Sequence, residues 1–388
     1  MTETSSGRLL TPAFVALTLS DLAYFTAAGV LISVTPLFIT GPLHSGDAGV
    51  GVAIGAFSVM TVLVRPWAGR WTDSHGRRVL IIGGAALFAV LVLGHYLVTN
   101  LLGLIALRLI LGAAEALYFV AGFAALADLA PPGRAGEALS LNALALYVGI
   151  AIGPLAGQLL FHRGGFGLVW AGAAVFAALA ALLATRVPET RPAVDASQPP
   201  TPLLHRAGIV PGLALFCGVA ATAGYLAFAV LQARAVGIEV WSMVLLGYGG
   251  TVVTCRVVFA KLPDRVGPLR LAATALGITA AGFLLIGAVQ TVIGLVAGTV
   301  ALAIGIAFLT PAIFAAVFNE APASERGSAA ATTSVFIDLG LSGGPMMVGF
   351  VAAATGLPSA FLILAVVPVA GGAVLMTARL RHSAMPPK

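Results

Sequence analysis

The sequence predicts an all-α membrane protein of twelve transmembrane helices in two related six-helix bundles, and three observations point there. Hydrophobic residues make up 60% of the 388 positions and charged residues only 9%, against about 25% charged in an ordinary soluble domain. A chain with so few charges cannot coat a water-facing surface of this size. The apolar runs recur along the whole chain at the roughly 20 residues that one bilayer crossing needs. The chain also aligns with itself.

Taken in order, the apolar runs place helices near 12–39, 49–68, 79–99, 101–127, 136–160, 166–185, 208–232, 241–260, 271–289, 291–318, 328–353 and 358–379. The first run extends well past a signal-peptide core and shows no small-residue cleavage site, so it reads as a retained helix. The sixth run ends at a polar, proline-rich stretch, PETRPAVDASQPPTPLLHR, which cannot span a bilayer and reads as a linker. The divisions are therefore 1–185 for an N-terminal bundle, 186–207 for the linker and 208–388 for a C-terminal bundle. An even number of spans puts both termini on one side. With the N-terminus cytoplasmic, seventeen Arg and Lys residues fall on the cytoplasmic side and only Arg163 and Arg234 on the other, the asymmetry of a bacterial inner-membrane protein.

A shift of 191 positions brings Arg65 onto Arg256, Asp73 onto Asp264, Gly76 onto Gly267, Pro131 onto Pro322, Gly136 onto Gly327, Gly153 onto Gly344 and Pro154 onto Pro345, without a gap. One offset that relates both loops and helices marks the halves as parallel repeats, whose pseudo-twofold axis is expected along the membrane normal.

After the second helix the chain reads RPWAGRWTDSHGRR, with Gly69, Asp73, Gly76, Arg77 and Arg78 spaced as GxxxDxxGRR. A degenerate copy, AKLPDRVGPLR, holds Asp264, Arg265 and Gly267 in the second half. This pair resembles motif A of the major facilitator superfamily. Glycines allow tight turns between closely packed helix ends, and a carboxylate can sit against a helix N-terminus or an Arg. The resemblance implies that Asp73 faces the helix beginning near Gly327 and helps to hold the cytoplasmic side closed; Ser74 replaces the family's usual basic residue. Gly149, Gly153, Pro154 and Gly157 in GIAIGPLAGQ look like motif C of the twelve-helix drug:proton antiporter branch, with Gln158 in place of a final Gly. Arg108 and Gly112 match the RxxxG core of motif B.

Four strongly ionisable residues fall inside expected helices: Asp21, Arg108, Glu115 and Asp338. Left unpaired they would together cost on the order of 10 kcal/mol on insertion scales, so they must be paired, hydrated or neutralised. A buried carboxylate holds its proton more tightly, and one beside an Arg less tightly. A carboxylate that moves between such settings can carry protons. Glu115 or Asp21 is the expected carrier, Arg108 the partner that sets its pKa, and Asp338 a contributor from the second half. Tyr24, Phe25, Tyr118, Phe119, Tyr225, Phe228 and Gln232 lie on the same helix faces and suit contact with an amphipathic, even cationic, organic compound.

The net charge of +6 follows from cytoplasmic loops and argues against nucleic acid as a partner. Cys217 and Cys255 lie within apolar runs and predict no disulfide. No histidine has a second ligand at metal spacing, and no phosphate loop, nucleophile elbow or ATPase motif occurs. The expectation is a monomeric, cofactor-free secondary transporter whose partners are protons, a small organic substrate and the bilayer. Export of an amphipathic compound or drug is the leading reading. Import of a sugar or other metabolite by symport or facilitated diffusion, and lipid export, remain open on the same fold.

Overall fold

The computed structural model describes residues 9–131, 134–191, 205–259, 262, 266–321 and 326–383, and every regular element among them is helical. The first helices are α1 (Pro12–Thr40), α2 (Asp47–His75), α3 (Arg77–Leu93, extended by a 3-10 turn Gly94–Leu97) and α4 (Leu101–Leu129). A continuous helical stretch, Ala135–Ala184, is broken by non-helical backbone at Gly164 and Gly165 and so forms α5 (135–163) and α6 (166–184). Then come α7 (Arg206–Ala235), α8 (Ser242–Val258), α9 (Pro268–Ala288), α10 (Val292–Glu320), α11 (Arg326–Thr355), α12 (Leu357–Leu364) and, past Ala365, its continuation α13 (Val366–Ser383). Ten stretches are long and apolar enough to cross a membrane. One of them holds both α5 and α6, and the shorter apolar helix α8 adds another, which makes twelve crossings.

The helices divide between two compact units, one made of Val59–Ser197 with the chain up to Thr35, the other of Pro36–Ser58 and Gln198–Lys388. The second unit thus takes in the α1–α2 turn. There α2 packs on α11 so closely that a Cβ on Gly51 would lie 2.4 Å from the Pro345 carbonyl oxygen, and one on Gly349 would lie 2.7 Å from that of Asp47.

The internal repeat holds in the local geometry. Gly76 and Gly267 both take positive φ, 97° and 88°, at the start of α3 and α9, and Gly165 and Gly356 take 61° and 81° at the start of α6 and α12. Asn100 caps α4 by accepting from the Gly103 N–H at 2.8 Å, and Thr291 caps α10 through the Gly294 N–H at 3.2 Å. Each pair is related by the same 191-residue offset. A cap satisfies one of the donors that every helix start leaves open, so the repeat preserves the stops and starts that set helix length.

Inside the first unit, α5 lies directly on α1. A Cβ on Gly153 would come within 2.6 Å of the Gly29 Cα and of the Thr26 carbonyl oxygen, and one on Gly149 within 2.9 Å of the Leu22 oxygen and the Thr26 nitrogen. Gly157 faces Ser33. Small residues four apart allow this backbone-to-backbone approach. In the second unit Gly344 of α11 meets Ala220 of α7 in the same manner, and these two are the repeat partners of Gly153 and Gly29.

One expectation needs correction. The motif A segment is not a loop, because α2 continues through Gly69 and Asp73 to His75. Nothing lies within 4 Å of a Cβ built on Gly69, so no close packing requires glycine there. α2 runs on past Pro66 and Gly69, and the chain turns at Gly76, whose φ is positive. Asp264 and Arg265 of the second copy lie outside the described residues.

Candidate functional site

Two polar groupings in the first unit concern the expected site residues, one around Asp21 on α1 and one where α2 meets α3. The first surrounds Asp21, which is only 5% exposed. Tyr118 on α4 donates its hydroxyl to Asp21 Oδ1 at 2.6 Å, and Asn142 on α5 donates Nδ2 to Oδ2 at 2.5 Å. Ser20 extends the chain: its Oγ lies 2.9 Å from the Tyr118 hydroxyl and 2.9 Å from the Ala180 carbonyl on α6. Four helices therefore converge on one carboxylate whose hydrogen-bond donors are both neutral. Tyr24 stacks on Tyr118 with ring centroids 4.0 Å apart and packs against Phe88 at 4.8 Å. Phe25 touches Phe119 edge-on at 6.2 Å, and the Arg65 guanidinium lies over Phe119 at 5.2 Å.

Glu115 is half-buried and lies one helical turn before Tyr118. Asp21 and Glu115 both act electrostatically on Tyr24, so the two expected carriers share one neighbourhood. Arg108 does not join them. It is 5% exposed, and its guanidinium bonds the Thr35 hydroxyl. Thr35 lies fourteen residues beyond Asp21 on α1, roughly 21 Å at 1.5 Å per residue. The expectation that Arg108 directly sets the pKa of Asp21 gives way to this placement. Asp338, on α11 in the second unit, is 4% exposed.

Three of the expected cargo residues lie on α7 and make contacts within the second unit. Tyr225 bonds the Thr299 hydroxyl, Phe228 is fully buried, and Gln232 donates to Gln290 Oε1 at 2.9 Å. Gln290 in turn donates to the Ile286 and Gly287 carbonyls at the end of α9. These bonds join α7 to α10 and to the end of α9. Tyr24 and Tyr118 are likewise fully buried, and Tyr118 serves as a ligand of Asp21.

The second grouping lies at the polar end where α2 meets α3. Asp73, 75% exposed at its side chain, pairs with Arg77 at 3.2 Å. Arg77 also reaches Asp128 Oδ2 at 3.0 Å and the Thr72 carbonyl at 3.2 Å. Gly76 ends α2 in a backbone conformation reserved for glycine, and this presents the first N–H groups of α3 outward. Glu189 takes both: its carboxylate accepts from the Arg77 N–H at 2.9 Å and the Arg78 N–H at 3.2 Å, a helix N-terminus capped from a distant segment. Thr190 bonds Asp128 at 3.0 Å, Arg191 bonds the Ser74 carbonyl at 2.8 Å and Arg78 bonds the Thr185 carbonyl at 2.9 Å. Partial burial pushes the Glu189 carboxyl up, but backbone N–H groups of Arg77, Arg191, Arg78 and Thr190 outweigh it and hold the group below its ordinary 4.5.

Sequence reasoning missed Glu189, Asp128 and Asn142. The first was read as part of the linker, because its reach back to the start of α3 is set by packing and leaves no mark in the local sequence. Asn142 gave no signal beyond being a lone amide in an apolar run.

A family profile described as Major Facilitator Superfamily matches residues 17–270. An uncharacterized MFS-type transporter of Salmonella typhimurium is 26% identical over 374 residues, covering 93% of this chain and 95% of that one. Another, of Pseudomonas aeruginosa, is 29% identical over 379 residues, covering 94% and 92%. Among solved structures, a bacterial homologue of the human lysosomal transporter Spinster superposes with a TM-score of 0.77 at 16% identity, covering 97% of this chain and 98% of that one. The nucleoside transporter NupG gives 0.77 at 15% identity, covering 94% and 99%. At such identities the structural likeness is one of fold alone.

Proposed function

The chain belongs to the major facilitator superfamily and is a multi-pass membrane transporter; on that premise we propose that it is a proton-coupled antiporter, exporting a small amphipathic organic compound or drug by alternating access. The observation that carries this reading is Asp21, a carboxylate buried within a membrane span among neutral donors. The Asp21 carboxyl has hydrogen-bond partners in either protonation state. With Asp21 ionised, Tyr118 and Asn142 donate to it. With Asp21 protonated, it can donate to the Tyr118 oxygen, Tyr118 to Ser20 and Ser20 to the Ala180 carbonyl, every contact lying within 2.9 Å. Asn142 Oδ1 is buried with no partner, so a flipped amide offers the acid a second acceptor. A group that keeps its own hydrogen-bond partners as it gains and loses a proton is what a carrier requires.

Glu115, one turn from Tyr118 on α4, is the second acid on the proton route, and Asp338 the contribution of the second half. The close packing of Gly149, Gly153 and Gly157 on α1 supports the motif C resemblance and with it the antiport reading. Gly69, Asp73, Gly76, Arg77 and Arg78, now joined by Glu189, serve as the conformational latch on the cytoplasmic side, where both termini lie.

The test uses energised inverted membrane vesicles with a pH-sensitive dye and amphipathic compounds selected by thermal-shift screening. Substrate added to the wild type collapses part of the pH gradient, while Asp21→Asn folds and binds substrate but moves no protons. Wild-type proton movement in Asp21→Asn removes Asp21 from the route. A pH change of the opposite sign turns the reading from export to symport.

A further inference from the structure

Arg108 is a cation buried in the first unit with no anion against it among the described residues. Arg108 forms no ion pair among the described residues, its one hydrogen bond goes to the Thr35 hydroxyl, and its Nε is buried without an acceptor. Other acids of its unit are engaged elsewhere: Asp21 with Tyr118 and Asn142, Asp73 and Asp128 with Arg77, and Glu189 with the Arg77 and Arg78 N–H groups, while Glu115 lies seven residues on, roughly 10 Å along α4. A guanidinium stays protonated under all physiological conditions, so its charge cannot be removed by releasing a proton. The Arg108 charge also acts on His95, which is 1% exposed. The His95 ring is stacked on Trp170 at 4.4 Å, and its Nδ1 contacts the Val92 carbonyl at 2.8 Å. That contact assigns the proton to Nδ1 and leaves Nε2, buried and unpartnered, as an acceptor. A permanent cation, a hydroxyl and a free acceptor together form an incomplete site in which the missing member is an anion carrying a hydrogen-bond donor.

We propose that Arg108 and Thr35 form the seat for an anionic group of the transported compound, a carboxylate or phosphate, with His95 Nε2 accepting from a neighbouring hydroxyl or amide. The inference rests on the transport reading and narrows its substrate class to amphipathic anions. It also gives Arg108 a role other than tuning Asp21, since its partner Thr35 stands about half the length of α1 from that residue. A bidentate guanidinium–carboxylate contact satisfies the open Nε and adds orientation as well as affinity.

The test measures binding to the purified full-length protein in nanodiscs, without a proton gradient. Probes are 4-phenylbutyrate, its neutral amide, the matched 4-phenylbutylammonium ion and sodium phosphate, all at constant ionic strength. Readouts are thermal stabilisation and the fluorescence of Trp170, which is stacked on His95. The carboxylate is expected to stabilise the wild type and shift its emission, with the amide and the ammonium ion at least tenfold weaker, about 1.4 kcal/mol. Arg108→Gln should lose at least tenfold of the carboxylate affinity and Arg108→Lys less. Thr35→Val, which keeps the shape of the side chain, should lose a few-fold and guards against misfolding of the Arg108 variants. Equal responses to carboxylate and amide, no response to the carboxylate, or an unchanged response in Arg108→Gln overturns the proposal. A response to phosphate that the carboxylate does not compete away assigns the seat to a free inorganic ion and overturns it too. A protein that binds the carboxylate yet moves no protons contradicts the coupling reading alone, and one that exchanges protons yet ignores the carboxylate contradicts the anion seat alone.

Discussion

Replacing Gly153 with Ala tests the packing of α5 on α1 by a single methyl group. The new Cβ would stand 2.6 Å from both the Gly29 Cα and the Thr26 carbonyl oxygen, about 1 Å inside ordinary contact. Both opposing atoms are backbone, so no side chain can rotate away and relief requires displacing a helix. Overpacking of this kind costs about 1–3 kcal/mol. Ala also gains up to about 1 kcal/mol over Gly in a helix interior, which masks part of the penalty. Gly69→Ala supplies the control, because Gly69 is also helical and its added methyl meets nothing within 4 Å. The propensity gain is common to both variants, so their difference isolates the steric cost. Thermal unfolding of the purified proteins in detergent should place Gly153→Ala below wild type and Gly69→Ala at or above it, separated by about 1–3 kcal/mol. Gly149→Ala, with its nearest contact at 2.9 Å, should fall between them. A Gly153→Ala protein as stable as Gly69→Ala would refute the argument.

Glu115→Gln is expected to abolish pH-driven transport in reconstituted vesicles while the protein stays folded by size-exclusion chromatography; full proton coupling would take Glu115 off the route. Glu189 predicts an acid-dependent loss of stability. Its carboxyl is held below the ordinary 4.5, so its contribution is complete above that pH and is lost as pH falls through the lower folded value. Melting curves recorded from pH 7 downward should therefore show a step in the wild type that Glu189→Gln lacks. Gly76→Ala should cost about 1–3 kcal/mol in the same assay, since φ at that residue is 97° and the new Cβ would fall 2.3 Å from Glu189 Oε2. Combining it with Glu189→Ala should recover the steric part and leave the backbone strain.

Much of the scaffold was legible because a bilayer imposes length. Expected and observed helices agree within a few residues except at the end of α2, which runs to His75 where the expectation stopped at 68. Hydropathy marks where an apolar run ends, while a helix ends only where its backbone is broken, here at Gly76. The repeat was legible for the same reason: positive φ, caps and close contacts each demand particular small or polar residues, so Gly76, Gly153 and Gly165 return as Gly267, Gly344 and Gly356. The chemistry was less legible because it does not repeat. The same offset carries Asp21 onto Gly212, Arg108 onto Thr299, Glu115 onto Ile306 and Asn142 onto Thr333. Charge inside an apolar run marks a residue as important but does not name its partner. Partners that come from other helices, as Asn142 does for Asp21 and Thr35 for Arg108, are fixed only by packing.

The contact between α1 and α5 has a genetic corollary. Most steric lesions in a protein core can be suppressed by trimming the residue opposite, but here the opposing residue at the tightest point is Gly29, which has nothing left to trim. Revertants selected from a Gly153→Ala strain should therefore not map to facing positions. They should restore glycine itself or lie at remote sites that shift an entire helix, and this seam should be among the slowest parts of the chain to diverge.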